Sequence, residues 1–160
     1  MLREMVDLLD YSLGYIRQSV ADLSDEELVA QPAGVPNHAM WTLGHVTFSC
    51  QGIAGELGVE PWLPADWEAT FGYGSTPSAD LARYPTKAEM LAQLAGAANR
   101  LREALLAADE SVLKQSVPDE ALPTMGHILL QVVVAHTAYH AGQLTVWRRA
   151  IGKQAPAVFV

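Results

Sequence analysis

The chain has a single cysteine, Cys50, so no intramolecular disulfide framework is available to it. It is also short of positive charge: ten Lys and Arg stand against eighteen Asp and Glu, a formal net charge of −8. Phosphate recognition needs Lys and Arg gathered on one face, so a nucleic-acid partner is excluded. Charged residues are only 18% of the chain while hydrophobic ones are 50%, which excludes a disordered chain and points to extensive burial. No long apolar run is uninterrupted. The most apolar stretch, Ile128 to Trp147, is broken by Gln131, His136, His140 and Gln143, and reads as a buried helix rather than a membrane span. The opening Met-Leu-Arg-Glu-Met-Val-Asp has no secretory apolar region, so the expected location is the cytoplasm. Strand signals are nearly missing. Val132, Val133 and Val134 are β-branched, but they lie inside a much longer helical pattern, and length decides for helix.

What is present is helical periodicity. At 160 residues, one domain over 1–160 is expected. Leu2, Met5, Val6, Leu9, Leu13, Ile16 and Val20 recur at steps of three and four, the stripe of a first helix. Ser24 to Glu27 is a capping box for a short helical turn that Pro32 and Pro36 end. A second long helix starts at Asn37 or His38 and runs to about Leu57. A third opens on the capping box Thr86 to Glu89. Thr124 caps a fourth that continues to about Ile151. Four such helices, each with an apolar face to bury, predict an all-α, antiparallel four-helix bundle. The connection from Gly58 to Pro85 is long and carries Trp62, Trp67, Phe71, Tyr73 and Tyr84. Connections of this length are often lids or binding loops. It is expected to fold back over the bundle as a pocket wall, a dimer contact or both, with a short helix around Pro64–Ala69 and Trp67 as the pocket wall.

The five histidines sort by helical phase. His136 and His140 are four apart, a net rotation of ~40°, so both imidazoles leave one face of the fourth helix a turn apart. His45 lies on the second helix, in Trp41-Thr-Leu-Gly-His45. A divalent metal can accept the pair, and a third imidazole from a facing helix would make a three-nitrogen site with open positions, the catalytic rather than the structural kind. The alternative is three separate, hydrogen-bonded core histidines. His127, nine positions before His136, falls about 180° away on a regular helix and is expected to cap or pack near the helix start. His38 is expected at the surface or in a loop. Ser49 and Gly52 share the face of His45, and Tyr139 and Gln143 lie near that of His136, so these four are expected around the pocket. Gln143 could orient a ligand, bridge helices or simply pack. Gly142, costly in mid-helix by about 1 kcal/mol, suggests a close helix approach. Thr42-Leu-Gly-His45-Val and Thr124-Met-Gly-His127-Ile are near-copies on two helices, a hint of pseudo-symmetry.

Trp41-x-x-Gly-His45 and His136-x-x-x-His140-x-Gly142-Gln143, in this order and helical context, resemble the DinB-like (YfiT-like) family of four-helix metalloproteins. The resemblance extends over nearly the full length. It implies an antiparallel bundle in which His45, His136 and His140 hold a divalent metal, commonly nickel or zinc, near one end, often in a homodimer. Where the family pattern often has Arg after the last histidine, this chain has Ala141. The implied activity is that of a metal-dependent enzyme on a small-molecule substrate. Relatives that use low-molecular-weight thiols make thiol transfer or isomerisation the leading chemistry. Metal-dependent hydrolysis and a non-catalytic metal-binding module are the alternatives.

Overall fold

The stripe that begins at Leu2 becomes α1 (Leu2–Val20), whose Leu2, Met5, Val6, Leu9, Leu13, Ile16 and Val20 are all buried. The computed structural model describes residues 1–32 and 34–157. At α2 (Asp25–Leu28) the capping box forms in both directions: the Glu27 N–H donates to Ser24 Oγ and the Ser24 N–H to Glu27 Oε2. α3 (Ala39–Glu56) is buried without a break from Ala39 to Thr47. After α4 (Trp67–Phe71) and a 3₁₀ turn at Leu81–Arg83, Thr86 and Glu89 form the second capping box and start α5 (Lys87–Ala107). A 3₁₀ helix at Glu110–Lys114 leads through a loop to the last helical rod. That rod is α6 (Met125–Leu129), a π-helical segment (Leu130–His136) and α7 (Thr137–Ala150). Among the described residues there is no β-strand, only an isolated bridge between Ser116 and Thr124.

The four long rods form a bundle: α1 packs against α5 and α7, and α3 packs against the same two helices from the other side. Leu9, Leu13, Ile16, Met40, Leu43, Leu94, Leu101 and Leu144 fill the space between them. Area removed from water by such residues supplies the main stabilisation, on the order of 2 kcal/mol for each fully buried aliphatic side chain. One end is closed by polar bonds as well. The buried Arg148 donates to the carbonyls of Ser19 and Gln154, each at 2.7 Å, and pairs through both terminal nitrogens with Asp22 at 2.6 and 3.0 Å. The Trp147 indole N–H donates to the Ala30 carbonyl at 2.9 Å. No helix among the described residues is long and apolar enough to cross a membrane.

The long connection is fastened to α3. Gln51 Oε1 accepts from the N–H groups of Trp62 and Leu63 at 2.8 and 2.6 Å, and the Trp41 indole donates to Ser75 Oγ at 2.9 Å. The fourth helical stretch differs from the regular helix that its periodicity predicts. Seven of its residues are wound as π-helix, and these include the β-branched Val132, Val133 and Val134. A π turn holds more residues than an α turn and is often found at functional sites. Here it ends on His136.

A convergent histidine cluster

Three elements bring the cluster together. His45 is on the enclosed half of α3, His136 is the last residue of the π segment, and His140 follows one turn into α7. Their Nε2 atoms meet: His136 Nε2 lies 3.0 Å from His45 Nε2 and 3.0 Å from His140 Nε2. One ligating nitrogen from each ring falls within 4.8 Å of the others. The opposite ring nitrogen of His45, Nδ1, donates to the Phe71 carbonyl at 2.6 Å. That bond places the proton on Nδ1 and leaves Nε2 with its lone pair facing the other two rings. The Trp41 indole stacks on the His45 ring at 4.7 Å between centroids and 10° between planes, which fixes the ring's rotation from the other side.

Phe71 reaches His45 because Gly44 has no side chain. A Cβ at Gly44 would fall inside the Phe71 ring. The glycine before His45 is therefore where α4 docks on α3, and docking delivers the carbonyl to the imidazole. Sequence reading missed this carbonyl. A backbone group 26 positions away leaves no mark in side-chain spacing.

Burial holds His45 below the usual histidine range, partly opposed by the Phe71 carbonyl. Burial, then the neighbouring His45, pushes His136 down to about 4. Burial, then His136 and His45, pushes His140 down to about 3, with Gln143 pulling the other way. All three rings are thus neutral near pH 7, the state in which imidazole ligates a metal. Nδ1 of His136 and His140 and Oε1 of Gln143 are buried without a hydrogen-bond partner. Three neutral rings with converging Nε2 atoms can place at most one proton in each short contact. A shared divalent cation would satisfy the three Nε2 lone pairs at once. Two imidazoles on one tetrahedral zinc lie ~3.3 Å apart at their nitrogens, close to the spacing here. The donor set fits such an ion.

Beside the cluster is a cavity of about 690 Å³ reached by His45 and His136, with Ser49 and Gly52 on its wall. Ser49 Oγ donates to the His45 carbonyl at 2.8 Å. Tyr139 and Gln143 line a different hollow of about 440 Å³, beside Pro36, Asn37, Ala138 and Gly142. The Tyr139 ring meets His140 edge-on at 5.4 Å. Trp67, expected on the pocket wall, lines neither cavity. Its indole is buried and packs on Phe71 at 4.8 Å, because the first residue of α4 faces the bundle. Tyr73, fully exposed, takes the wall position just beyond α4.

Three further expectations change. His38 is completely buried rather than on the surface: it is the N-cap of α3, its Nδ1 accepting from the Trp41 N–H at 3.1 Å and its Nε2 donating to the Ser78 carbonyl at 2.9 Å. A Cβ on Gly142 would meet nothing within 4 Å, so no helix approaches there and the residue instead borders the smaller hollow. The 180° offset of His127 does not apply across a π segment, though the ring does stand apart from the cluster, Nδ1 bonded to Thr124 Oγ1 at 2.7 Å. Cys50 is buried in α3 and its thiol is pushed up to about 12, an inert core residue.

The sequence model of the DinB superfamily matches residues 8–144. A solved structure described as a conserved protein from Enterococcus faecalis is similar in fold. It has a TM-score of 0.79 and 21% sequence identity, and the match covers 96% of this chain and 98% of that one. No curated protein matches the chain.

Proposed function

The chain belongs to the DinB superfamily, and from that membership and the histidine cluster we propose that it is a divalent-metal protein. We propose that it acts as an enzyme on a small molecule, by thiol transfer or isomerisation. The observation that carries the reading is the convergence of three neutral imidazole nitrogens beside an open cavity. His45, His136 and His140 would hold the ion, with zinc or nickel suited to an all-imidazole set. A bound divalent ion with open positions supplies Lewis acidity and lowers the pKa of a thiol or water placed on it.

The protein's own part is positional. The Phe71 carbonyl fixes the His45 tautomer, and Trp41 fixes its ring plane. Such partners of metal-bound histidines govern affinity as strongly as some ligands do. Phe48, Ile53, Ile128 and Val132 give the cavity an apolar wall beside the cluster. No Asp or Glu forms a hydrogen bond or ion pair with any of the three histidines among the described residues. This favours chemistry in which the metal-bound group is itself the nucleophile, the substrate's own thiol in the leading reading and water in a hydrolytic one.

The test is elemental analysis of protein purified without an affinity tag or chelator. One equivalent of divalent metal per chain is expected, lost in His136→Ala and His140→Ala and kept in His127→Ala. Metal kept by the His140 variant and lost by the His127 variant would refute the assignment. A thiol-conjugation assay run beside an ester panel then separates transfer from hydrolysis.

A further inference from the structure

The larger cavity is polarised along its length. On α3 its wall is His45, Phe48, Ser49, Gly52, Ile53 and Glu56. These positions follow the i, i+3, i+4, i+7, i+8, i+11 pattern, so one continuous face of the helix lines the cavity from end to end. At 1.5 Å per residue that face is roughly 16 Å long. The facing wall repeats the arrangement: Met125 and Ile128 on α6, then Gln131 and Val132 in the π segment, ending on His136. The two walls run together, with the histidines at one end and Glu56 and Met125 at the other. Asp119, from the loop before α6, also lines the cavity, and the base of that loop is tied to α6 by the Met125 N–H to the Gln115 carbonyl at 2.8 Å.

Charge follows the same axis. No Lys or Arg lines the cavity. Glu56 makes no ion pair among the described residues, and Asp119 is held in place by accepting from the N–H groups of Ala121 and Leu122, both at 2.8 Å. A cleft with low-dielectric walls and charge of one sign concentrates ligands of the other sign. An anionic tail would meet two carboxylates with no counter-charge.

Resting on the metal site proposed above for its inner end, we infer that the substrate is an elongated molecule with a metal-binding head, an apolar body and a cationic tail. The head, a thiol in the leading reading, sits at His45 and His136. The body lies on Phe48, Ile53, Ile128 and Val132, and an ammonium group reaches Glu56 and Asp119. Thiols whose tails carry only carboxylates are disfavoured.

Three probes of equal length decide it: aminohexanethiol, mercaptohexanol and mercaptohexanoic acid. Each is titrated into protein loaded with cobalt(II), whose thiolate absorption reports the head alone. The amine is expected to bind about fivefold to tenfold more tightly than the acid, with the alcohol between them, as two exposed carboxylates allow. In Glu56→Gln/Asp119→Asn, which keeps the loop's hydrogen-bond acceptor, the difference should vanish while metal content is unchanged. An acid that binds as well as the amine, or a preference that survives the double substitution, overturns the inference. Hexylamine and hexanoate competing for an environment-sensitive dye in metal-free protein read the tail preference separately. If no metal binds but hexylamine still competes better, the metal reading fails and the tail assignment stands. If metal binds and the two compete equally, the reverse holds.

Discussion

Replacing Gly44 with alanine should destabilise the protein and loosen the histidine cluster, although the same change in most helix interiors stabilises. Removing glycine from mid-helix is ordinarily worth ~0.5–1 kcal/mol. At Gly44 the new methyl group would occupy the space of the Phe71 ring, itself 2% exposed and packed on Trp67. Overpacking of this kind costs about 1–3 kcal/mol. Displacing Phe71 also pulls its carbonyl from His45 Nδ1, now at 2.6 Å, a further loss of about 1 kcal/mol. The net expectation is a destabilisation of about 1–3 kcal/mol, seen as a fall in Tm of roughly 3–9 °C for a chain of this size. Metal affinity should fall about 10–100-fold, the effect of losing a partner of a ligating histidine. Gly142→Ala is the control: its Cβ meets nothing within 4 Å, so it should raise stability by about 0.5–1 kcal/mol. A cycle with Phe71→Ala completes the test by thermal and urea denaturation. The two changes must be non-additive by about 1 kcal/mol or more, since removing the ring makes room for the methyl. Additive effects, or a stabilised Gly44 variant, would refute the docking argument.

Chelation should lower the Tm while leaving far-UV helicity intact at room temperature, because the four apolar stripes are buried without help from a metal; collapse of the helical signal would make the site structural. Trp67→Ala should cost about 3–5 kcal/mol as a buried aromatic, whereas Tyr73→Ala should stay within about 0.5 kcal/mol and weaken ligand binding in the cavity, a contrast read by urea melts and probe titration. Asp22 is lowered from 3.8 to about 2, chiefly by its hydrogen bonds to Arg148. Because the folded pKa lies below the unfolded one, this stability is present above pH ~4 and lost as pH falls through about 2. Asp22 is 54% exposed, so screening keeps the contribution under about 1 kcal/mol. Asp22→Asn should therefore flatten the acid limb of the Tm profile in that window and nowhere else.

Much of this fold could be read from the chain because the informative signals are local. Both capping boxes, the Thr124 cap and the α1 stripe depend on residues within a few positions of one another, and all form. The His136–His140 pair was legible for the same reason, and the structure brings His45 to it. What was not legible depends on distant partners. Gly44 and Gly142 both precede or follow a histidine motif, and nothing nearby in sequence tells that a ring lies on one and open space on the other. His38 looked like a loop residue because imidazole is an unusual N-cap, and its second partner is the Ser78 carbonyl 40 positions away. Trp67 is off the pocket wall because the phase of a five-residue helix within a loop follows from its docking and not from its composition.

The π segment has a bearing on how the cavity beside the histidines is shaped. It lies between two parts of one rod: upstream, Met125 and Ile128 line the cavity; downstream, His136 and His140 keep the spacing of an ordinary α-helix. Rewinding the seven residues as α-helix without changing their number would turn the upstream wall by roughly 100° relative to the histidines, and deleting one residue as the segment rewinds would nearly cancel that turn. The histidine pair would keep its own spacing throughout. The winding of this one segment therefore sets how the cavity wall is oriented relative to the histidines, independently of the spacing within the histidine pair.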